Sequence, residues 1–443
     1  MTKSADILRE LRATLALAFP IVVGQVSQML IGVTDNAFIG RVGRAELAAA
    51  AFTHGVFGLC YVVGIGLVLG AGVFAARDHG AGDEAGCAAW LRHGRALAAA
   101  IGVAMFVVML AASTQLHHFG QPPEVVAIVQ PYFLLIGLSF LPALLFQVQR
   151  QFCESLNQPW VPMGIMLADV ALNALLNWVL VFGHFGFPAL GLIGSGVATL
   201  AARVVAAIVI FWWLKRATAF ASVHAAPWRG WERGRFVELL KLGVPAGGML
   251  LFEGGAFAMA ALMMGWLGTV PLAAHQVALG CAALTFMVPL GISMATSLRI
   301  SQARGEGRHE VLRAIGFGSL ATGLAVMATF ALIFALAGPW ITAAFTPATD
   351  VAGLAARLLI VAAIFQLFDG AQVISAGALR GLTDVRVPTV LTFVAYWVIA
   401  LPLGYALAFH TTLGPMGIWT GLAVGLACAA VLLAARFQRL TAR

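Results

Sequence analysis

The sequence predicts an all-α membrane protein: about twelve transmembrane helices in two six-helix, pseudo-symmetric lobes. Apolar runs of membrane-spanning length recur throughout, the chain repeats itself at a constant offset, and its basic residues gather on alternate connections. Composition sets the solvent. Of 443 residues, 61% are hydrophobic and 10% charged, with mean hydropathy +0.95, far outside the range of soluble domains. Runs such as Leu97 to Ala112, Gly196 to Leu214, Gly316 to Ala337 and Val387 to Phe409 approach the roughly 20 residues a helix needs to cross the hydrocarbon core. Segments of this kind begin near residues 14, 47, 95, 127, 163, 190, 238, 272, 312, 351, 387 and 414. The first follows Lys3, Arg9 and Arg12 in the manner of a signal peptide, but its length and its interruption by Pro20 and Asp35 mark it as a retained first helix.

The repeat divides these segments into two sets of six. Pro20 matches Pro245 at an offset of 225 residues, and Gly40/Gly265, Gly43/Gly268, Gly66/Gly291, Gly80/Gly305 and Gly82/Gly307 keep it. Two copies of one unit therefore fill the chain. With small slips the echo continues to Pro162/Pro388 and Gly191/Gly194 against Gly414/Gly417. The expected organisation is an N-lobe over residues 1–218, a connecting stretch over 219–235 where Pro227, Gly230, Gly234 and charges break the apolar pattern, and a C-lobe over 236–443. An even number of spans per copy makes this a parallel repeat, a class that places its substrate path at the lobe interface.

Charge sets the orientation. Of the 26 Lys and Arg, all but Arg41, Arg44, Arg357 and the mid-span Arg203 fall at the termini, the connecting stretch and alternate loops, with Arg150 among them. By the positive-inside rule both termini and residues 219–235 are cytoplasmic. The formal net charge of +8 is thus a topology signal, and no nucleic-acid partner is expected. The five cysteines, Cys60, Cys87, Cys153, Cys281 and Cys428, form no CxxC pair, which argues against a disulfide framework or metal centre. No nucleotide-binding loop, HExxH or GxSxG is present. Energy must then come from an ion gradient or a partner subunit.

Acids inside the spans carry the functional signal, because a charged Asp at mid-helix costs roughly 2.5–3.5 kcal/mol on the lenient insertion scale. Asp35 shares a helix face with Gln25 and Gln28, and Asp169, Asn173 and Asn177 form a polar stripe at i, i+4 and i+8. Oxygens on two helices can coordinate a hard cation such as Na⁺. Glu253 stands among apolar residues before a Gly pair, where a fixed charge is costly and a proton can be carried. Asp369 is flanked at helical spacing by Gln366 and Gln372, so Gln25, Gln28, Gln366 and Gln372 are candidate polar lining. At the repeat offset Glu253 falls against Gln28, and Asp35 against Ala260. Residues that keep the repeat serve the fold, and those that break it are better candidates for function. Arg203 reads as structural, paired with a carboxylate or snorkelling to the cytoplasmic face.

Several stretches are similar to one family: Pro20 to Gly43 with Asp35, the run Leu272 to Leu279 (LAAHQVAL), Phe286 to Ile292 (FMVPLGI), Phe368-Asp369-Gly370, and Gly377 to Pro388. By these the chain resembles the multidrug and toxic compound extrusion (MATE) transporters, in their NorM-like bacterial branch, over nearly its whole length. The resemblance implies two lobes forming a V around a central cavity and export of amphipathic organic cations in exchange for H⁺ or Na⁺. It also implies coupling carboxylates at Asp35, Glu253 and Asp369, with Asn173, Asn177 and Thr199 supplying further cation-site oxygens beside Asp35. Departures are Gly280, where similar sequences carry Asn, and Phe365, where a sodium-coupled relative offers a tyrosine hydroxyl. Both remove polar donors and favour H⁺.

The expectation is therefore a cation-coupled antiporter, not an enzyme, without cofactor, monomeric, multi-pass in a bacterial inner membrane and acting on small organic cations. A lipid-linked precursor flippase of related architecture would need a larger cationic cavity, whereas mid-span acids here outnumber bases. A membrane-embedded enzyme would need a nucleophile or metal cluster, and none is visible in the sequence.

Overall fold

A computed structural model describes residues 3–116, 123–227 and 230–442. Trp228 and Arg229 of the connecting stretch, and Arg443 among the basic residues counted above, lie outside the described residues. Twelve helices among them are long and apolar enough to cross a membrane: α1 (Leu8–Ile39), α2 (Arg44–Gly80), α3 (Glu84–Ser113), α4 (Ile128–Ser155), α5 (Trp160–Phe182), α6 (Gly191–Arg216), α7 (Arg233–Leu267), α8 (Thr269–Gly305), α9 (His309–Phe345), α10 (Thr349–Gly381), α11 (Arg386–Phe409) and α12 (Pro415–Thr441). The protein is thus an all-α, multi-pass membrane protein.

The helices outrun the membrane. At about 1.5 Å per residue the 37 residues of α8 extend some 55 Å, well beyond the ~30 Å hydrocarbon core, so their charged ends project from it. The third helix shows the effect best. It begins at Glu84, with Asp83 accepting a capping bond from the Gly86 amide at 2.8 Å, eleven residues before the apolar run that announces it at residue 95. Its first turns carry Trp90, Arg92 and Arg95, so hydropathy lags behind helix formation.

Two compact units emerge, one of Val23–Gly247 (the N-unit) and one of Met1–Val22 with Gly248–Arg443 (the C-unit). Both cuts fall inside a helix, two residues after Pro20 in α1 and Pro245 in α7, so they respect the repeat offset. The opening turns of α1 belong to the C-unit, where Glu10 pairs with Arg299 at 2.6 Å and with Arg308.

Packing explains why the glycine frame repeats. In the N-unit a Cβ on Gly66 would lie 2.2 Å from Gly247 Cα; in the C-unit a Cβ on Gly291 would lie 2.9 Å from the Val22 backbone. These are the same contact in both copies, a helix–helix approach close enough to exclude a side chain. The repeat pair Gly82 and Gly307 likewise both turn at φ +73°, a left-handed conformation costly for residues with a Cβ. Small residues fill the interior: Ala256, Ala260, Ala274, Ala278, Ala355 and Ala362 are fully buried in the C-unit core. Large ones face outward, with Trp340 76% and Leu336 66% exposed. That inversion of soluble packing is what lipid, as apolar as leucine itself, permits.

The sharpest test lies in those glycines. Gly66→Val should lose at least 3 kcal/mol or fail to fold, whereas Gly280, with open space where a Cβ would go, should accept Ala without loss. Thermal unfolding in detergent by size-exclusion fluorescence separates the two; equal midpoints would contradict the packing.

Candidate functional site: two buried carboxylate clusters

The N-unit cluster forms around Asp35, four residues before the end of α1 and 1% exposed. Three side chains donate to it. Asn173 and Asn177 Nδ2 reach Oδ1 at 3.1 and 2.8 Å, and Thr199 Oγ1 reaches Oδ2 at 2.8 Å. Asn173 and Asn177 stand one turn apart on α5, and Thr199 faces them from α6, its hydroxyl 3.3 Å from Asn173 Nδ2. Asn177 also donates to the Asn173 carbonyl at 3.0 Å, which fixes the amide against the helix. All three donor residues are at most 1% exposed. Asp35 is therefore no helix cap but a carboxylate held from three directions, and the four residues grouped by sequence stand together. Charge-assisted donors of this kind compensate a carboxylate withdrawn from bulk water.

Asp169 does not join that set. It opens onto the same chamber, a cavity of about 260 Å³ whose lining includes Asp35, Gln28, His54, Asp169 and Arg203, and its Oδ1 is buried without a partner. The volume holds about nine waters at ~30 Å³ each and falls below the ~300–1,000 Å³ of drug-sized pockets. Ions and water fit. Gln28 donates to the Tyr61 hydroxyl at 2.9 Å, and His54 Nε2 meets the Tyr132 hydroxyl at 2.8 Å. Gln25 turns elsewhere, accepting from Arg150 Nη1 at 2.8 Å. Arg150 itself is a correction to the loop reading: it lies within α4, 1% exposed, 3.4 Å from Glu154. Its charge is spent inside the bundle, since α4 continues five residues past it to Ser155.

The C-unit cluster joins α7, α10 and α11. Asp369, 5% exposed, has an Oδ1 with no partner, and Glu253 is its electrostatic neighbour. Gln372 is the polar neighbour of Glu253, close enough to act on its charge but not in the geometry of a full hydrogen bond. Gln366 accepts from the Thr285 hydroxyl at 3.1 Å. Phe365, 1% exposed, packs edge-on to Trp419 at 5.3 Å and to Phe257 at 6.0 Å. Gly280 contributes no side chain. Sequence reading missed Tyr396, whose hydroxyl is buried and unpartnered and senses both Glu253 and Asp369. It sits on a π-helical turn of α11, Val394–Ala400, tied to α7 by Trp397 Nε1 donating to the Phe252 carbonyl at 3.0 Å. Such turns frequently mark functional positions. A usable signal did exist. The chain spends only four tyrosines against 29 phenylalanines, and Tyr61, Tyr132 and Tyr396 all stand at these two clusters.

Two units related by a repeat, each with acids inside membrane-spanning helices, define a class of two-lobed membrane carriers, and comparison with known proteins makes it specific. The MatE family model matches residues 20–179 and again 245–406, two copies at the repeat offset. Among relatives, a probable multidrug resistance protein NorM of Rhizobium meliloti (strain 1021) is 35% identical over 440 residues, covering 98% of this chain and 94% of its own. Another of that name, from Rhodopseudomonas palustris (strain ATCC BAA-98 / CGA009), is 38% identical over 452 residues, covering 99% and 94%. A crystal structure of MATE in the bent conformation aligns with TM-score 0.89 at 22% identity, covering 100% of this chain and 98% of that one. An outward-facing multidrug resistance MATE family transporter of the MOP superfamily gives the same values. The chain belongs to the MatE family. It is a multidrug efflux transporter and not an enzyme.

Thr199 offers a direct test of the N-unit cluster. Thr199→Val leaves Asp35 Oδ2 without its hydroxyl donor and should cost about 1–3 kcal/mol together with most transport, while Thr199→Ser should restore both. Thermal midpoints and efflux rates measured side by side check this; a Val variant equal to wild type would remove Thr199 from the cluster.

Proposed function

We propose that this transporter resides in a bacterial inner membrane and exports amphipathic organic cations from the cytoplasm in exchange for protons, by alternating access, with Asp35, Glu253 and Asp369 as the coupling carboxyls. One observation carries the reading: Asp369 and Glu253 stand together in the C-unit with no basic side chain paired to either among the described residues. Two carboxylates inside the bundle, Asp369 buried and Glu253 half-buried, without a basic partner hold charge that a proton or a metal ion can neutralise. Loading and unloading that charge gives the gradient a handle on the protein. Proton rather than sodium use is supported by Gly280 and Phe365, which bring no oxygen to the site.

Coupling then follows from differential affinity. A ligand shifts a two-state balance only by binding one state better, so drug and proton must favour opposite states. The charge distribution supports cytoplasmic termini and a cytoplasmic 219–235 connection. Amphipathic cations suit a carrier in which the acids Asp35, Asp169, Glu253 and Asp369 stand inside the spans, away from their basic ends.

Asp369→Asn and Glu253→Gln should each lower proton-driven efflux of a fluorescent organic cation by at least about tenfold, while folded protein persists, because the isosteres keep shape and lose the titrating group. Either variant at the wild-type rate would remove that residue from the coupling role. Orientation is checked separately. A single cysteine at Ala219 should be closed to an impermeant maleimide in intact cells and open in inverted vesicles; labelling from outside would reverse the topology.

A further inference from the structure

The chamber beside Asp35 contains a cation of its own. Arg203 stands one turn beyond Thr199 on α6 and lines the same cavity as Asp35, His54 and Asp169. It neither snorkels nor closes an ion pair among the described residues. Its guanidinium donates to Ser139 Oγ on α4 and lies 4.6 Å from the centre of the Phe57 ring on α2. Phe57 is in turn stacked on Phe140 at 4.3 Å, so the charge is pinned between three helices. Arginine does not give up its proton in proteins, and the chamber is permanently positive at this point. The titratable and charged groups that meet there are Asp35 from α1, His54 and Tyr61 from α2, Asp169 from α5 and Arg203 from α6, with Tyr132 from α4 bonded to His54.

We propose that Arg203 determines the ion specificity of the N-unit site, acting as a resident cation that keeps sodium away from Asp35 and leaves the proton as the ion this chamber exchanges. The inference rests on the coupling role given to Asp35 above. Its logic is charge and ligand count. With both acids ionised and His54 neutral, the chamber would carry two negative charges without Arg203 and carries one with it. Affinity for a hard cation rises with the negative charge and the number of oxygens around it. Here the charge is halved, and both carboxylate oxygens of Asp35 are already engaged by the Asn173, Asn177 and Thr199 donors. In the low effective dielectric of such a chamber, one fixed positive charge disfavours a second. That field opposes the proton as well. The proton, however, bonds covalently to a single carboxyl oxygen, whereas sodium is held by field and coordination alone.

The test reads sodium binding rather than transport. Purified protein in detergent is titrated with NaCl against KCl at constant ionic strength and mildly alkaline pH, with the thermal midpoint as the readout. Wild type should show no sodium-specific stabilisation. Arg203→Gln should gain it, with an apparent sodium affinity at least about tenfold higher, and Asp35→Asn in the same chain should abolish the gain. Where Gln does not yield monodisperse protein, Arg203→Met keeps the stem over Phe57 and serves instead. Sodium-specific stabilisation of wild type that disappears in Asp35→Asn would overturn the proposal. So would an Arg203 variant without a sodium response, or with one indifferent to Asp35. Sodium-driven efflux that survives Asp35→Asn would defeat the proton-coupling reading and leave this outcome untouched, so the two failures are distinguishable.

Discussion

A carboxylate placed inside an apolar helix bundle has to be compensated where it stands, because it is cut off from bulk water and lipid offers nothing. The functional features of this protein follow from the ways it meets that demand. In the N-unit Asp35 is compensated by dipoles, with two amides and a hydroxyl aimed at its oxygens. In the C-unit Asp369 and Glu253 have no such set among the described residues; Gln372 approaches Glu253 without full hydrogen-bond geometry, and the Tyr396 hydroxyl stands unpartnered. A neutralised acid is stable there and a bare one is not. The contrast gives the two units different electrical characters on one scaffold.

The scaffold is the repeated part. Gly66 against Gly247 and Gly291 against Val22 are one helix crossing made twice, and the cuts between compact units fall at matching positions after Pro20 and Pro245. Duplication supplies two bundles whose helices pack through small residues. The acids were then placed differently in each: Gln28, the counterpart of Glu253, bonds to Tyr61, and Ala260, the counterpart of Asp35, is packed in the C-unit core. Packing kept the symmetry because close backbone approach tolerates little else. Chemistry was free to depart from it.

Much of this is legible in the sequence because membrane spans advertise themselves by length and composition. Asp35, Asn173, Asn177 and Thr199 could be grouped from helical spacing within α5 together with family resemblance, and they meet as expected. Arg150 misled because a lone arginine in an otherwise apolar chain resembles a loop charge; only the fold reveals Glu154 and Gln25 around it. Tyr396 was missed for a different reason. A π-helical turn shifts side chains off the 3.6-residue period on which facial reasoning relies, so its hydroxyl reaches the acids from a position that periodicity does not single out. Arg203 was noticed but assigned to structure, since spacing along α6 cannot show that Ser139 and Phe57 hold it at the chamber wall.

The central claim is that proton loading of buried carboxyls drives export. It is tested most directly with purified protein in lipid vesicles containing a fluorescent organic cation, comparing an imposed pH gradient at equal sodium with an imposed sodium gradient while an ionophore holds the pH difference at zero. The account predicts transport that follows the pH gradient, reverses with its sign and stays at the leak rate under sodium alone. Sustained transport driven by sodium with no pH difference would contradict it.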